Sequence, residues 1–109
     1  MTLRGKRTLI LESDCMVAYA MQHVLEGEGA TAHVGPPAGE MGFDGVIVDC
    51  GWARRPLAKA LSAAGMPILA YTSDPTAIQR RLAGCRVLCK PATDQALQRA
   101  VIDLLHASE

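Results

Sequence analysis

"RTLILESDC", Arg7 to Cys15, is the stretch on which the reading of the whole chain turns. Thr8 to Leu11 is a continuous apolar run, the pattern of a strand buried on both faces of a parallel sheet. Glu12 and Asp14 follow at once, with Ser13 between them. Acids at a strand exit suit a metal, but Asp14 is equally a good N-cap for a helix. Beyond it Val17, Met21, Val24 and Leu25 fall on one helical face, and Gly27 and Gly29 end that helix.

The same alternation continues outward. Thr31 to Gly35 reads as a weak strand, and Gly45 to Val48 as a strong one ending in Asp49. Pro56 opens a helix with Leu57, Ala60, Leu61 and Ala64 on its inner face, stopped by Gly65. Pro67 to Tyr71 is a further strand. Asp74 and Pro75 are a cap and first helical position, with Ile78 and Leu82 inward and Gly84 as the stop. Arg86 to Cys89 is a short strand, and Thr93 caps a last helix with Leu97, Ala100, Val101, Leu104 and Leu105 inward. The order β-α-β-β-α-β-α-β-α predicts an α/β fold with a doubly wound parallel sheet. Function in such sheets collects at the carboxyl ends of the strands. Candidates there are Glu12, Ser13, Asp14, Asp49, Thr72, Ser73 and Lys90.

The chain has 109 residues, read as one domain over 1–109 with a single core. Half of it is hydrophobic and only 4% aromatic, so Leu, Ile, Val, Ala and Met must fill that core. Eleven basic and eleven acidic residues cancel, which gives no electrostatic reason to expect nucleic acid or an anionic membrane as partner. No apolar run approaches the roughly 18 residues of a membrane span. Glu12 and Asp14 interrupt the only apolar run near the N-terminus, so no signal peptide is read and a cytoplasmic location is expected. Cys15, Cys50, Cys85 and Cys89 form no C-x-x-C pair, and His23, His33 and His106 make no zinc pattern. Reduced, mostly buried thiols are expected. A regulatory thiol at Cys50, beside Asp49, is the alternative.

These residues make chemical sense together. Glu12, Asp14 and Asp49 in one pocket repel each other and require a cation or protons. Hard oxygen ligands suit Mg²⁺. Lys90 adds a fixed positive charge and Thr72 a hydroxyl donor. A carboxylate nucleophile, a metal, an ammonium and a hydroxyl are the parts needed to accept a phosphoryl group.

At this point the sequence resembles a family. "LILESDCMVAYAM", "FDGVIVDC", "PILAYTS" and "VLCKPA" are similar to the four signature segments of the receiver domain of two-component response regulators. The similarity runs from Thr8 to Leu105. It implies a flavodoxin-like fold with five parallel strands in the order 2-1-3-4-5. It implies Asp49 as phosphoacceptor, Thr72 as switch hydroxyl, Lys90 as phosphoryl-binding lysine with a cis bond to Pro91, and Glu12 and Asp49 as metal ligands.

Three departures qualify that resemblance. The family places two adjacent acids after the first strand, and the second ligates Mg²⁺ directly. Here the pair is Glu12 and Ser13, so the ligand position is degenerate and the Mg²⁺ site is expected to be weak or lost. Asp14, one place later, either joins the metal or only caps the helix. The family often has an aromatic residue three positions before the lysine, where Val87 stands, and Tyr71 is no obvious substitute because strand neighbours point to opposite faces. Between Gly35 and Asp44 stand only "PPAGEMGF". Nine peptide steps at about 3.3 Å reach ~30 Å, enough to recross one strand but not to build a helix as well. Pro36, Pro37, Gly39 and Gly42 oppose a helix there in any case. A short loop therefore replaces the helix between strands 2 and 3. The sheet is expected to be under-covered near strands 1 and 2, with Trp52 folding over part of it and a second copy of the chain a possible cover for the rest.

The expected function is a stand-alone receiver rather than an enzyme. A histidine kinase or histidine phosphotransfer protein would donate the phosphoryl group, and a downstream protein would be the target. The alternative is a pseudo-receiver, a phosphorylation-independent binding or dimerisation module, favoured by Ser13, Val87 and the missing helix.

Overall fold

The computed structural model describes residues 2–39 and 42–107. Five strands form one parallel sheet: β1 (Arg7–Leu11), β2 (Thr31–Val34), β3 (Gly45–Val48), β4 (Ile68–Thr72) and β5 (Arg86–Cys89). Their order is β2-β1-β3-β4-β5, the doubly wound, flavodoxin-like arrangement. Among the described residues five helices flank the sheet: α1 (Cys15–Gly27), α2 (Cys50–Ala53), α3 (Pro56–Ala63) and α4 (Pro75–Arg81) lie between strands, and α5 (Asp94–His106) follows β5. Among the described residues no helix joins β2 to β3. Glu40 and Met41 of that connection lie outside the described residues.

Strand side chains alternate, so the sheet builds a core on each face. Ile10, Ile47 and Leu69 pack with Ala18, Met21 and Leu25 of α1 and with Leu97, Val101 and Leu104 of α5. Leu9, Leu11, Val46, Val48, Ile68 and Ala70 face the other way, toward Ala53 of α2, Ala58 of α3 and Ile78 of α4. Leu3, ahead of β1 and unread in the sequence, is fully buried in the first core.

Details depart from the expectations. Cys50–Ala53 form a short helix that the sequence reading passed over, because Asp49 caps it: the Trp52 backbone N–H donates to Asp49 Oδ1 at 2.8 Å. On α3 the fully buried residue is Ala58, while Ala60 and Ala64 are exposed and Leu57 and Leu61 are half-buried. The expected under-coverage shrinks to β2. Leu9 and Leu11 of β1 are 1% and 0% exposed, and Phe43 and Trp52 pack against their cluster. His33 pairs with Leu9 and Thr31 with Arg7, so both face the same side as Leu9; Thr31 is exposed and His33 half-buried. The four cysteines are free, but Cys15 and Cys89 are exposed, which corrects the expectation of mostly buried thiols. Both sit at element ends, where the chain leaves the core.

Candidate functional site

The carboxyl ends of β1, β3, β4 and β5 lie side by side, and backbone bonds hold their tips in register. The Asp49 N–H donates to the Leu11 carbonyl at 3.1 Å, and the Lys90 N–H donates to the Thr72 carbonyl at 2.9 Å. Glu12, Asp49 and Thr72 are therefore carried to one rim and buried there, at 8%, 7% and 2% exposure.

Asp49 is tied at both carboxylate oxygens. Oδ1 accepts the Trp52 N–H, and Oδ2 accepts the Ser13 N–H at 2.8 Å. Burial pushes its carboxyl up, but the Glu12 carboxyl and the N–H donors from Trp52 and Ser13 outweigh this and hold it below the usual range. Glu12 behaves oppositely: burial, reinforced by Asp49, raises it despite Lys90. The two acids share one low-dielectric corner, and burial and mutual repulsion bear on Glu12, the one raised, while Asp49 stays the stronger acid. Lys90 Nζ lies 2.7 Å from Glu12 Oε1, as an ion pair rather than an aligned hydrogen bond. Partial burial opposes charge on Lys90, yet Glu12 and Asp49 raise its pKa and keep it cationic. The Lys90–Pro91 bond is cis, as the resemblance implied.

The Asp14 carboxylate is turned away from this corner, although its backbone N–H donates to Glu12 Oε2 at 3.3 Å. Its Oδ1 accepts the Met16 and Val17 N–H groups at 2.9 and 3.3 Å, capping α1, and the residue is exposed. Among the described residues no three Asp, Glu, His or Cys side chains gather as a metal cluster. The trio of Glu12, Asp14 and Asp49 is thus reduced to a pair, because a helix cap requires the Asp14 carboxylate.

Thr72 Oγ1 accepts the Asp74 N–H at 2.9 Å and lies 2.8 Å from Cys50 Sγ. Ser73 is exposed. Tyr71 belongs to the neighbourhood after all. Lys90 is two residues beyond Leu88, the register partner of Tyr71, so both emerge on one side of the sheet. The ammonium sits 5.1 Å from the Tyr71 ring centroid, and the phenol oxygen accepts the Ala92 N–H at 3.2 Å. Strand parity counted forward to Lys90, rather than from Thr72, was the signal that reveals Tyr71.

Ser13 Oγ lines the mouth of the corner. A Cβ added at Gly51 would stand 2.8 Å from that hydroxyl and 3.6 and 3.9 Å from the Asp49 oxygens. Glycine thus keeps open a small cradle walled by oxygen atoms.

No protein-family model matches the sequence, and no curated protein does. Solved structures do match the fold. A response regulator receiver protein from Sinorhizobium medicae superposes with a TM-score of 0.78 at 18% identity, over 99% of this chain and 100% of its own. A chemotaxis protein from Vibrio cholerae gives 0.73 at 18% identity, over 91% and 98%. The receiver domain of a sensor histidine kinase from Pseudomonas aeruginosa, solved with a magnesium ion coordinated in its active-site cleft, gives 0.72 at 21% identity, over 93% and 98%. The arrangement that gathers Glu12, Asp49, Thr72 and Lys90 at one rim is the receiver fold of response regulators, and this chain has it.

Proposed function

We propose that the chain is a receiver module that takes a phosphoryl group onto Asp49 and signals by contact with other proteins. The observation that carries this reading is the convergence of Asp49, Thr72 and Lys90 from three separate strands onto the buried corner that holds Glu12. Each Asp49 oxygen accepts one N–H bond and keeps lone-pair capacity for attack. Its lowered pKa leaves it ionised at neutral pH. A phosphohistidine of a kinase or phosphotransfer protein is the fitting donor: an Asp49 oxygen bonds phosphorus as the phosphorus–nitrogen bond breaks, and the imidazole leaves. Lys90 then faces the added charge, and Thr72 supplies a hydroxyl.

The donor set fits Mg²⁺. Glu12, Asp49 and the Ser13 hydroxyl, with a backbone carbonyl near Gly51, are hard oxygen donors around the cradle that glycine leaves open. Bound there, the ion would neutralise the acids and the incoming phosphoryl oxygens. A hydroxyl in place of a carboxylate makes the site weaker by one charge.

A second reading rests on that same serine. With Ser13 at the ligand position and both Asp49 oxygens engaged, the fold also suits a docking module independent of phosphorylation. The two separate in one experiment. Under the first reading, Mg²⁺ and beryllofluoride shift the amide NMR signals of Asp49, Thr72 and Lys90, and acetyl phosphate adds one phosphoryl mass that Asp49→Ala abolishes. Unshifted signals and an unmodified mass at millimolar Mg²⁺ sink the first reading in favour of the second.

A further inference from the structure

We propose that Cys50 is a positioning residue: its thiol holds the Thr72 hydroxyl in the resting arrangement, and Thr72 must leave it to reach a phosphoryl group on Asp49. The inference rests on the receiver reading and concerns a contact of this chain's own.

Thr72 is 2% exposed, so its hydroxyl has to find its partners inside the protein. It has two, and Asp49 is neither. Asp74 donates its N–H to Oγ1 at 2.9 Å, which fills one lone pair. Cys50 Sγ lies 2.8 Å away, where either atom can supply the hydrogen. With the amide and the thiol on it, the hydroxyl is satisfied while Asp49 carries no phosphoryl group. The thiol is brought there by the helix cap already described. Asp49 caps α2 through the Trp52 N–H, and that turn sets Cys50, the next residue, against the end of β4. One residue of spacing thus ties the acceptor carboxylate and the latch together.

The energetic consequence has a definite sign. Whichever atom supplies the hydrogen, moving Oγ1 away from Sγ toward an added phosphoryl oxygen gives up that hydrogen bond. A bond between neutral partners contributes about 1 kcal/mol net, or about fivefold in an equilibrium constant. The engaged arrangement of Thr72 is therefore scarcer than it would be without the thiol, and anything that needs it binds more weakly by that fraction. Cys50→Ala removes the latch. Cys50→Ser keeps a donor and acceptor at the same place and rescues it.

The test has a resting arm and an engaged arm. In the resting arm, three-bond couplings to the Thr72 methyl carbon are measured without any ligand. A single rotamer is expected in the parent and in Cys50→Ser, and rotamer averaging in Cys50→Ala. A Thr72 that is averaged in the parent, or unchanged in Cys50→Ala, overturns the proposal whether or not Asp49 accepts phosphate. In the engaged arm, beryllofluoride affinity is measured at saturating Mg²⁺. Cys50→Ala should bind about fivefold more tightly than the parent, and the gain should vanish in a Thr72→Ala background, where no hydroxyl remains to hold. A gain that survives in Thr72→Ala overturns the latch while leaving the receiver reading intact. Failure of the parent to bind beryllofluoride at all counts against the receiver reading and leaves the resting arm to decide on the contact.

Discussion

The two faces of the sheet are covered by very different helices. On one, α1 and α5 each run 13 residues. On the other, α2, α3 and α4 have 4, 8 and 7. The central strand β3 between them is equally buried on both sides, with Ile47 and Val46 each at 1% exposure. Long helices are thus not required to dry a strand; short ones placed by loops do so as well. Their own stability differs, since a helix of one or two turns is marginal without its packing. The short-helix face also carries Cys50, whose thiol reaches Thr72, so the softer side of the molecule touches the site.

The sharpest way to break this contrast is to cut equal holes on the two faces. Ile47→Ala opens a cavity under α1 and α5 and should cost about 4 kcal/mol, whereas Ile78→Ala should cost about 2, because α4 has only 7 residues and can settle into the gap. Urea unfolding measures both. Equal costs would mean that the short-helix side is as rigid as the other.

A smaller effect probes the rim where the faces meet. Lys90→Ala leaves Glu12 buried without its cation and should cost about 1–2 kcal/mol near pH 7.5, the figure reduced because the Lys90 side chain is 31% exposed. The pH dependence has a definite sign. Glu12 is raised in the folded protein, so its contribution to stability is full below its unfolded pKa and fades as pH rises through the folded value. Asp49 is lowered, and its contribution is full above its unfolded pKa, fading only as pH falls through the folded value. The deficit of Lys90→Ala should therefore shrink on acidification toward the unfolded pKa of Glu12, and Glu12→Gln in the same chain should flatten it. A deficit constant between pH 4.5 and 7.5 would mean that Glu12 is not the group left exposed to the loss.

The smallest effect concerns Asp14. Asp14→Ala should destabilise α1 by about 1 kcal/mol and Asp14→Asn by a few tenths, with Mg²⁺ affinity unchanged in both. Weaker Mg²⁺ binding in Asp14→Asn would show that the carboxylate serves the metal as well as the cap.

Legibility in the sequence followed the same divide. α1 and α5 repeat apolar residues over three turns or more and carry Asp14 and Thr93 as caps, so their inner faces were read closely, although Ala18 of α1 is fully buried and was passed over while Val17 and Val24 are only half-buried. α3 was misread at Ala60 and Ala64 because alanine is apolar enough to sit on either face, and only contact with the sheet selects Ala58. α2 has no period to detect; its single signal was the acid before it. The under-covered region was placed too broadly, since nothing in the spelling of Phe43 says that it lies back over the cluster of Leu9 and Leu11. At the site, Glu12, Asp49, Thr72 and Lys90 were legible because each stands at the end of an apolar run. Tyr71 was not, as its importance lies in what faces it across a strand, and Cys50 stood out only as the neighbour of Asp49, with its contact to Thr72 unread.

Sequence alone determined the order of elements, the parallel sheet and the strand-end residues, because period, caps and chain reach are local properties. It also determined that no helix joins β2 to β3 among the described residues, through the shortness of the connection and its prolines and glycines. Tertiary structure decided which acid does what. Asp14 went to a cap and Glu12 to Lys90, since a buried carboxylate must find a cation, a donor or a proton and an exposed one need not. It also decided that Thr72 rests on Cys50, because a buried hydroxyl takes whichever partner the packing leaves within reach.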